Sequence, residues 1–203
     1  MLSANDRQSM VSTGTRKVRS GLIVTLMNVR RLFVISFLRI WQPSLSLGKG
    51  VQIGRGTRFR IIHGKVRIDD RVSLEDDVLI HVEGGEVSIG SNTFVGRGSQ
   101  IVALEKVKIG KDVLIATRCV IRDANHRFDD VTIPIRLQGH TVSPVVIGDD
   151  VWLGAHVVIT AGSDIGRGSI IGANAVVRGS IPELSIAVGT PAKVVNKRGG
   201  KPD

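Results

Sequence analysis

Aliphatic residues recur at every sixth position between Ile147 and Val177, and small or polar residues separate them. Six steps turn an α-helix by about one and two-thirds turns, so a helix would not place these side chains on one face. A period of six instead suits a short strand followed by a turn. Such repetition is typical of a β-solenoid, in which each coil buries its aliphatic row against its neighbours. The repeated positions are Ile147, Leu153, Ile159, Ile165, Ile171 and Val177.

The same pattern is present earlier in the chain, in groups of three hexapeptides. These groups start at Leu47, Ile68, Ile89 and Ile109, which are 21, 21 and 20 residues apart. Three hexapeptides fill 3 × 6 = 18 residues, so each early coil carries two or three extra residues at one corner. Three hexapeptides per coil predict an all-β fold with the shape of a triangular prism, over residues 44–196.

One coil departs from this length. From Ile109 to Ile147 is 38 residues, which is 20 more than three hexapeptides need. The surplus forms an excursion over residues 123–146, and it holds His126 and His140, two of the five histidines. Long excursions from a tightly periodic fold usually serve binding or chemistry.

The chain before the repeats has a different character. Residues 1–20 are polar and basic and predict a flexible lead, whereas residues 21–43 place apolar side chains at helical spacing and predict an amphipathic helix that Pro43 ends. Arg30 and Arg31 interrupt its apolar run, so a membrane span is not predicted. Two alternatives stay open: the helix packs on the prism or a neighbouring subunit, or residues 16–41 lie on an anionic cytoplasmic membrane surface. No cleavable signal sequence is recognised, which favours the cytoplasm.

The net charge of +10 is concentrated at the two ends of the chain. Residues 1–42 hold seven Lys and Arg against one Asp, and residues 193–203, which include a basic tail at 197–203, hold four against one. Only 3% of the residues are aromatic, so a platform for stacking nucleic-acid bases is not predicted. A phosphate-bearing ligand or a membrane surface fits the charge better. The single Cys119 excludes an internal disulfide and multi-cysteine metal sites, and it falls at an inward position of the repeat, where a buried thiol is expected.

Three motifs together resemble the hexapeptide-repeat acyltransferases. They are the pair Asp123 and His126, the segment 147–154 with sequence IGDDVWLG, and the segment 187–193 with sequence AVGTPAK. The resemblance is closest to the sugar O-acetyltransferases, which include maltose and galactoside acetyltransferases and enzymes acting on capsule or lipopolysaccharide. It implies a left-handed parallel β-helix, a homotrimer, and acetyl-coenzyme A as co-substrate in a groove between neighbouring prisms.

The resemblance also assigns site residues. Acetyl transfer to a hydroxyl needs a base, and a neutral imidazole suits that task, so His126 is the expected catalytic residue, with Asp123 as a candidate to orient it. Trp152 is expected beside the transfer site. The candidates for contact with coenzyme A are Trp152, Gly154, Ala155, Ala173, Arg178, Lys193, Lys197 and Arg198. The candidates for contact with the acceptor are Asn92, Gln100, Asn125, Gln138 and His140.

We therefore expect an enzyme that moves an acetyl group from acetyl-coenzyme A to a hydroxyl of a sugar, glycan or glycolipid. An N-acetyltransferase acting on a nucleotide-linked amino sugar is a rival, because amine and hydroxyl acceptors need similar bases. A non-enzymatic β-helix scaffold is a second rival, and the excursion with His126 argues against it. A γ-type carbonic anhydrase is disfavoured because the chain has no pair of histidines five residues apart. No metal site is predicted.

Overall fold

The structure, a computed structural model, describes residues 42–199. The chain divides into two units, residues 1–42 and 43–203, and the described residues belong almost wholly to the second. The flexible lead, nearly all of the predicted helix at 21–43, the membrane contact through 16–41 and the end of the basic tail lie outside the described residues. Those expectations stay predictions.

The described chain is a parallel β-solenoid with three sheets, one for each side of a prism. Sheet A consists of β1 (Leu45–Leu47), β4 (Lys65–Ile68), β7 (Glu86–Ile89), β10 (Lys106–Ile109), β15 (Val145–Ile147), β18 (Asp164–Ile165) and β21 (Ser180–Ile181). Sheet B consists of β2 (Gln52–Ile53), β5 (Ser73–Leu74), β8 (Phe94–Val95), β11 (Leu114–Ile115), β16 (Trp152–Leu153), β19 (Ile170–Ile171), β22 (Ser185–Val188) and β23 (Lys193–Lys197). Sheet C consists of β3 (Arg58–Ile62), β6 (Leu79–Glu83), β9 (Gln100–Ala103), β12 (Val120–Arg122), β17 (Val158–Ile159) and β20 (Val176–Val177).

The register of the strands confirms the predicted stacking of the hexapeptide repeat. On sheet A each inward isoleucine lies beside the inward isoleucine of the next coil, in the order Ile68, Ile89, Ile109, Ile147, Ile165 and Ile181. The first five are at most 2% exposed. Because burying one such side chain contributes about 1.5–3 kcal/mol, the stacked rows supply the main stabilisation of a core that has few aromatic residues.

Cys119 occupies one of these inward positions, as predicted. Its side chain is fully buried, and its thiol donates to the carbonyl oxygen of Gly154 at 3.2 Å. Burial raises the pKa of the Cys119 thiol, although backbone hydrogen bonds from Val157 and His156 oppose the shift. The thiol is therefore a packing group of the core.

Two segments depart from the parallel pattern. The excursion forms an antiparallel hairpin of β13 (Ala124–His126) and β14 (His140–Val142), with a 3₁₀ turn, η1 (Ile135–Leu137), near its tip. Strand β23 pairs antiparallel with β22 at the last edge of sheet B. Between residues 42 and 199, no helix is long and apolar enough to cross a membrane.

Candidate active site

The hairpin brings two histidines together. Its register places His126 directly opposite His140. Their ring centroids are 4.4 Å apart, and the two ring planes are inclined by 39°. Both side chains are exposed. The sequence predicted His126 at the mouth of the excursion and treated His140 as a separate acceptor contact, whereas the structure makes them neighbours.

A pocket of about 200 Å³ lies between the hairpin and the outward face of sheet C. Val120 and Val158, which are cross-strand neighbours, form its apolar floor. Polar groups surround this floor, so a sugar ring could rest on the valines with its hydroxyls against the polar side chains. The lining residues are Val120, Arg122, Ala124, Asn125, His126, Val158, Ile159 and Thr160.

Asp123 lies at the root of the hairpin and is fully buried. Its carboxylate accepts hydrogen bonds from the backbone N–H groups of Leu104, Glu105 and Lys106, at 2.9, 2.8 and 2.6 Å. Its own carbonyl oxygen accepts from the N–H of Ser143, where the chain returns to the prism, at 2.8 Å. The carboxylate of Asp123 is thus bonded to the backbone and not to the imidazole that it was a candidate to orient. The residue joins both ends of the hairpin to the preceding coil.

Trp152 lies on sheet B, a different face of the prism from the His126 pocket. Its side chain is 50% exposed, and its cross-strand neighbours are Leu114 and Ile170. A single chain therefore does not place Trp152 beside His126, and the expected position of Trp152 next to the transfer site stays a prediction.

The corner between sheets B and C holds the small residues predicted to approach coenzyme A. A Cβ atom at Gly154 would lie 2.6 Å from the backbone nitrogen of Ala173, so the packing of adjacent coils itself requires glycine there. Ala155 is half-buried and Ala173 is exposed. The backbone here is bonded to the adjacent coils, since the N–H of Gly154 donates to the carbonyl of Ile171 and the carbonyl of Ala155 accepts from the N–H of Asn174.

The four predicted phosphate-binding cations differ in their surroundings. Arg198 donates to a carboxylate oxygen of Asp150 at 2.7 Å and to the carbonyl of Gly168 at 3.1 Å. The Lys197 ammonium donates to the carbonyl of Glu183 and the hydroxyl of Ser185. Both cations hold the C-terminal strand on the prism. Within the described chain, the exposed side chains of Arg178 and Lys193 have no such bond, so these two are the better phosphate candidates.

The candidate acceptor contacts also separate into two groups. Asn92 lies at the corner between sheets A and B, where its amide accepts from Arg71 and donates to Asp112. The amide of Gln138 is bonded to the backbone of Asp130 within the hairpin tip. Asn125 lines the pocket, His140 lies against His126, and Gln100 is the cross-strand neighbour of Val120. Asn125 is thus part of the pocket, and His140 and Gln100 are each next to one of its lining residues.

Sequence reasoning missed the roles of Arg122 and Thr160 in the lining of the pocket. Arg122 is the last residue of β12 before the excursion, and Thr160 directly follows β17 in the next coil. Both residues lie where a strand of sheet C ends. The spacing of the repeat predicts these strand ends and could therefore have identified both residues. Across residues 42–199, no group of three His, Cys, Asp or Glu side chains is placed to hold a metal ion.

Comparisons with known proteins agree with this architecture. Residues 144–179 match the bacterial transferase hexapeptide (six repeats) family. The probable acetyltransferase Rv3034c of Mycobacterium tuberculosis (strain ATCC 25618 / H37Rv) is 43% identical over 152 residues, which cover 75% of this chain and 49% of that relative. The putative lipopolysaccharide biosynthesis O-acetyl transferase WbbJ of Escherichia coli (strain K12) is 40% identical over 120 residues, covering 56% and 61%. The chain thus spans about half to three-fifths of the length of these two curated relatives.

A solved structure shares the fold over most of its length. A mutant of AntD, an N-acyltransferase from Bacillus cereus in complex with dTDP and coenzyme A, has a TM-score of 0.67 at 22% identity, over 80% of this chain and 88% of that chain. At this identity the likeness concerns the fold alone. The repeats, the three-sheet solenoid and the matched segment agree with one another: residues 144–179 carry the repeat of the bacterial hexapeptide transferase family.

Proposed function

We propose that this protein transfers an acetyl group from acetyl-coenzyme A to a hydroxyl of a sugar, glycan or glycolipid, with His126 as general base. The observation that carries the proposal is the position of His126, an exposed imidazole on a hairpin strand that lines a pocket with an apolar floor and polar sides. The acetyltransferase names of the two curated relatives support the reaction class.

The reaction needs the protein to position the two substrates and to accept and return one proton. Neutral His126 accepts the hydroxyl proton as the sugar oxygen attacks the thioester carbonyl carbon. The carbon–sulfur bond then breaks, the acetyl group stays on the sugar oxygen, and the proton passes from His126 to the departing thiolate. Asn125 and Thr160 are polar neighbours in the pocket that can hold the acceptor while this happens.

Coenzyme A needs cations for its phosphates and an apolar surface for its arm. Of the four candidate cations, Arg178 and Lys193 are the two that are exposed and have no side-chain hydrogen bond or ion pair within the described chain. Trp152 and the side chains of Ala155 and Ala173, at the corner that the buried Gly154 keeps tight, supply apolar surface. We place coenzyme A along this side of the prism, and Lys197 and Arg198 act there only by holding the C-terminal strand.

Because Trp152 and His126 lie on different faces of one prism, a site that contains both is built from two copies of the chain. We propose a homotrimer on this ground. The outward face of sheet B carries an uncharged apolar row, which suits contact with a second copy. The row consists of Phe94, Leu114, Trp152, Ile170 and Ile186.

Replacing Leu114 by glutamate tests this assembly. Leu114 is 54% exposed in a single chain, so a charge there costs the isolated prism little, whereas burial in an interface would leave the carboxylate unpaired. We expect sedimentation to give a trimer for the parent and mostly monomer for Leu114→Glu, with unchanged circular dichroism. The matched control is Lys108→Glu on the outward face of sheet A. A parent that sediments as a monomer overturns the proposal.

Release of coenzyme A tests the reaction. Purified protein with acetyl-coenzyme A and a panel of sugar acceptors is expected to release free thiol only when a suitable acceptor is present. The product then distinguishes the alternatives, because hydroxylamine cleaves an O-acetyl ester and leaves an N-acetyl amide intact. Amide products would replace our proposal by the N-acetyltransferase. Absence of thiol release across hydroxyl and amino sugars, with the protein folded, would favour the scaffold.

A further inference from the structure

The three outward faces of the prism differ in how their charged residues are arranged. Sheet B presents the apolar row, and the outward strand positions of sheet A mix both signs, since Glu86 lies in register between Lys65 and Lys106. Sheet C carries Arg58, Arg60 and Arg122 in outward positions. Its single acidic strand residue, Glu83, lies at the end of β6 next to His81. The strand residues of sheets A and C both sum to +2, as 4 − 2 and 3 − 1. Sheet C is distinguished instead by two arginines on its edge strand β3 and by the His126 pocket.

The charge also varies along the chain. Between Arg7 and Ile68 the sequence has 13 Lys and Arg and no Asp or Glu. Residues 1–68 therefore carry 13 − 1 = +12, and residues 69–203 carry 15 − 17 = −2. The net charges of the two chain ends do not reveal this difference between residues 1–68 and 69–203. The positive charge of the first coil and the negative charge of the second coil cancel within the middle of the chain. The described cations of the first coil include Arg58 and Arg60.

Arg58 and Arg60 are exposed and face no acid across the sheet. Their cross-strand neighbours are Leu79 and His81. The nearest acidic coil turns its carboxylates elsewhere: Asp70 and Asp76 accept the backbone N–H groups of Lys49 and Arg55 at the corners. Within the described chain, neither arginine has a hydrogen bond or ion pair to its guanidinium. Two such guanidinium groups on one strand suit a carboxylate or phosphate ligand, because their planar fork binds such groups in a bidentate way.

These arginines are aligned with the pocket. Register places Arg60, His81, Val102 and Arg122 in one row across four adjacent strands. With about 4.8 Å between neighbouring strands, Arg60 and Arg122 are roughly 14 Å apart along the prism. Arg122 itself lines the pocket with His126. A second row contains Arg58, Leu79, Gln100 and Val120, and Val120 forms part of the pocket floor.

We infer that the acceptor is an extended anionic oligosaccharide that lies along the outward face of sheet C, with one acidic group at Arg122 and another at Arg58 and Arg60. This inference rests on the proposed function for the identity of the pocket, and it adds the chemical class and the direction of the acceptor. The uncharged residues Leu79 and Gln100 lie in register between Arg58 and Val120 and offer surface for sugar rings between the two charged ends.

Direct binding tests the inference independently of turnover. The full-length protein is titrated calorimetrically, without acetyl-coenzyme A, with a glucuronate tetrasaccharide and with a glucose tetrasaccharide of the same length. We expect the parent to prefer the uronate, and the preference to fall as salt rises. The double variant Arg58→Gln/Arg60→Gln is expected to bind the uronate about tenfold more weakly. The matched control is Lys65→Gln/Arg67→Gln, which removes the same charge from the adjacent coil on sheet A.

The outcomes separate this inference from the proposed function. Equal affinity of the parent for both tetrasaccharides, or an equal loss in the sheet A control, overturns the inference even if acetyl transfer occurs. Binding of a monosaccharide phosphate as tight as that of the uronate overturns the extended track, because Arg122 alone would account for it. A preference that depends on Arg58 and Arg60 supports the inference, and if acetyl-coenzyme A is then not consumed, only the proposed reaction fails.

Discussion

Replacing His126 by asparagine is expected to lower kcat for acetyl transfer by about 10²–10⁴-fold, since that is the usual contribution of a general base. KM for both substrates is expected to change little, because the amide keeps a polar group at the exposed end of β13. Thermal stability should be unchanged, as the side chain is exposed and its described neighbour is the His140 ring. Steady-state release of coenzyme A gives both parameters.

The matched control is His63→Asn. His63 is also exposed but lies in the first coil, between β3 and β4, with φ of 50°, a conformation that asparagine tolerates better than most residues. We expect kcat to stay within about twofold of the parent there, because surface changes away from a site usually have small effects. If His126→Asn turns over as fast as the control, the imidazole is not the base and the mechanism is wrong.

The regular part of the fold was predictable because it depends on a local repeat. Inward aliphatic residues such as Ile147 and Ile165 fix the coil length, and each coil adds the same packing to the next. The excursion was predictable for the converse reason, since 38 residues between Ile109 and Ile147 exceed one coil. His126 followed from a motif within that excursion.

Pairings across coils were not predictable in the same way. The Arg198 side chain meets Asp150, 48 residues earlier, and Asn92 is held between Arg71 and Asp112 in adjacent coils. The pairing of His126 with His140 depends on the register of an antiparallel hairpin that the hexapeptide period does not govern. Such contacts depend on which outward side chains are neighbours at a corner or in a hairpin. The period of the inward residues does not determine these neighbours. The alignment of Arg60 with Arg122 across sheet C was not predicted for the same reason.

Replacing Asp123 by alanine is expected to destabilise the prism by about 3 kcal/mol and to disorder the hairpin. The change removes the acceptor for the N–H groups of Leu104, Glu105 and Lys106 at a fully buried site, and an unpaired buried polar group costs about 1–3 kcal/mol. For a chain of this size we expect Tm to fall by roughly 6–12 °C. Because the hairpin carries His126, kcat should fall as well.

Asp129→Ala is the control for the loss of an acid in the excursion. Asp129 is exposed and pairs only with Arg127, at 3.2 Å, so its removal should shift Tm very little. The comparison also decides what Asp123 does. A role in orienting the imidazole predicts that Asp123→Ala lowers kcat while Tm stays near that of the parent, whereas a role in joining both ends of the hairpin to the preceding coil predicts a loss of both. Faster hydrogen exchange at the amides of residues 104–106 and 143 in the variant would locate the loss at the hairpin root, because those amides are the ones that Asp123 holds.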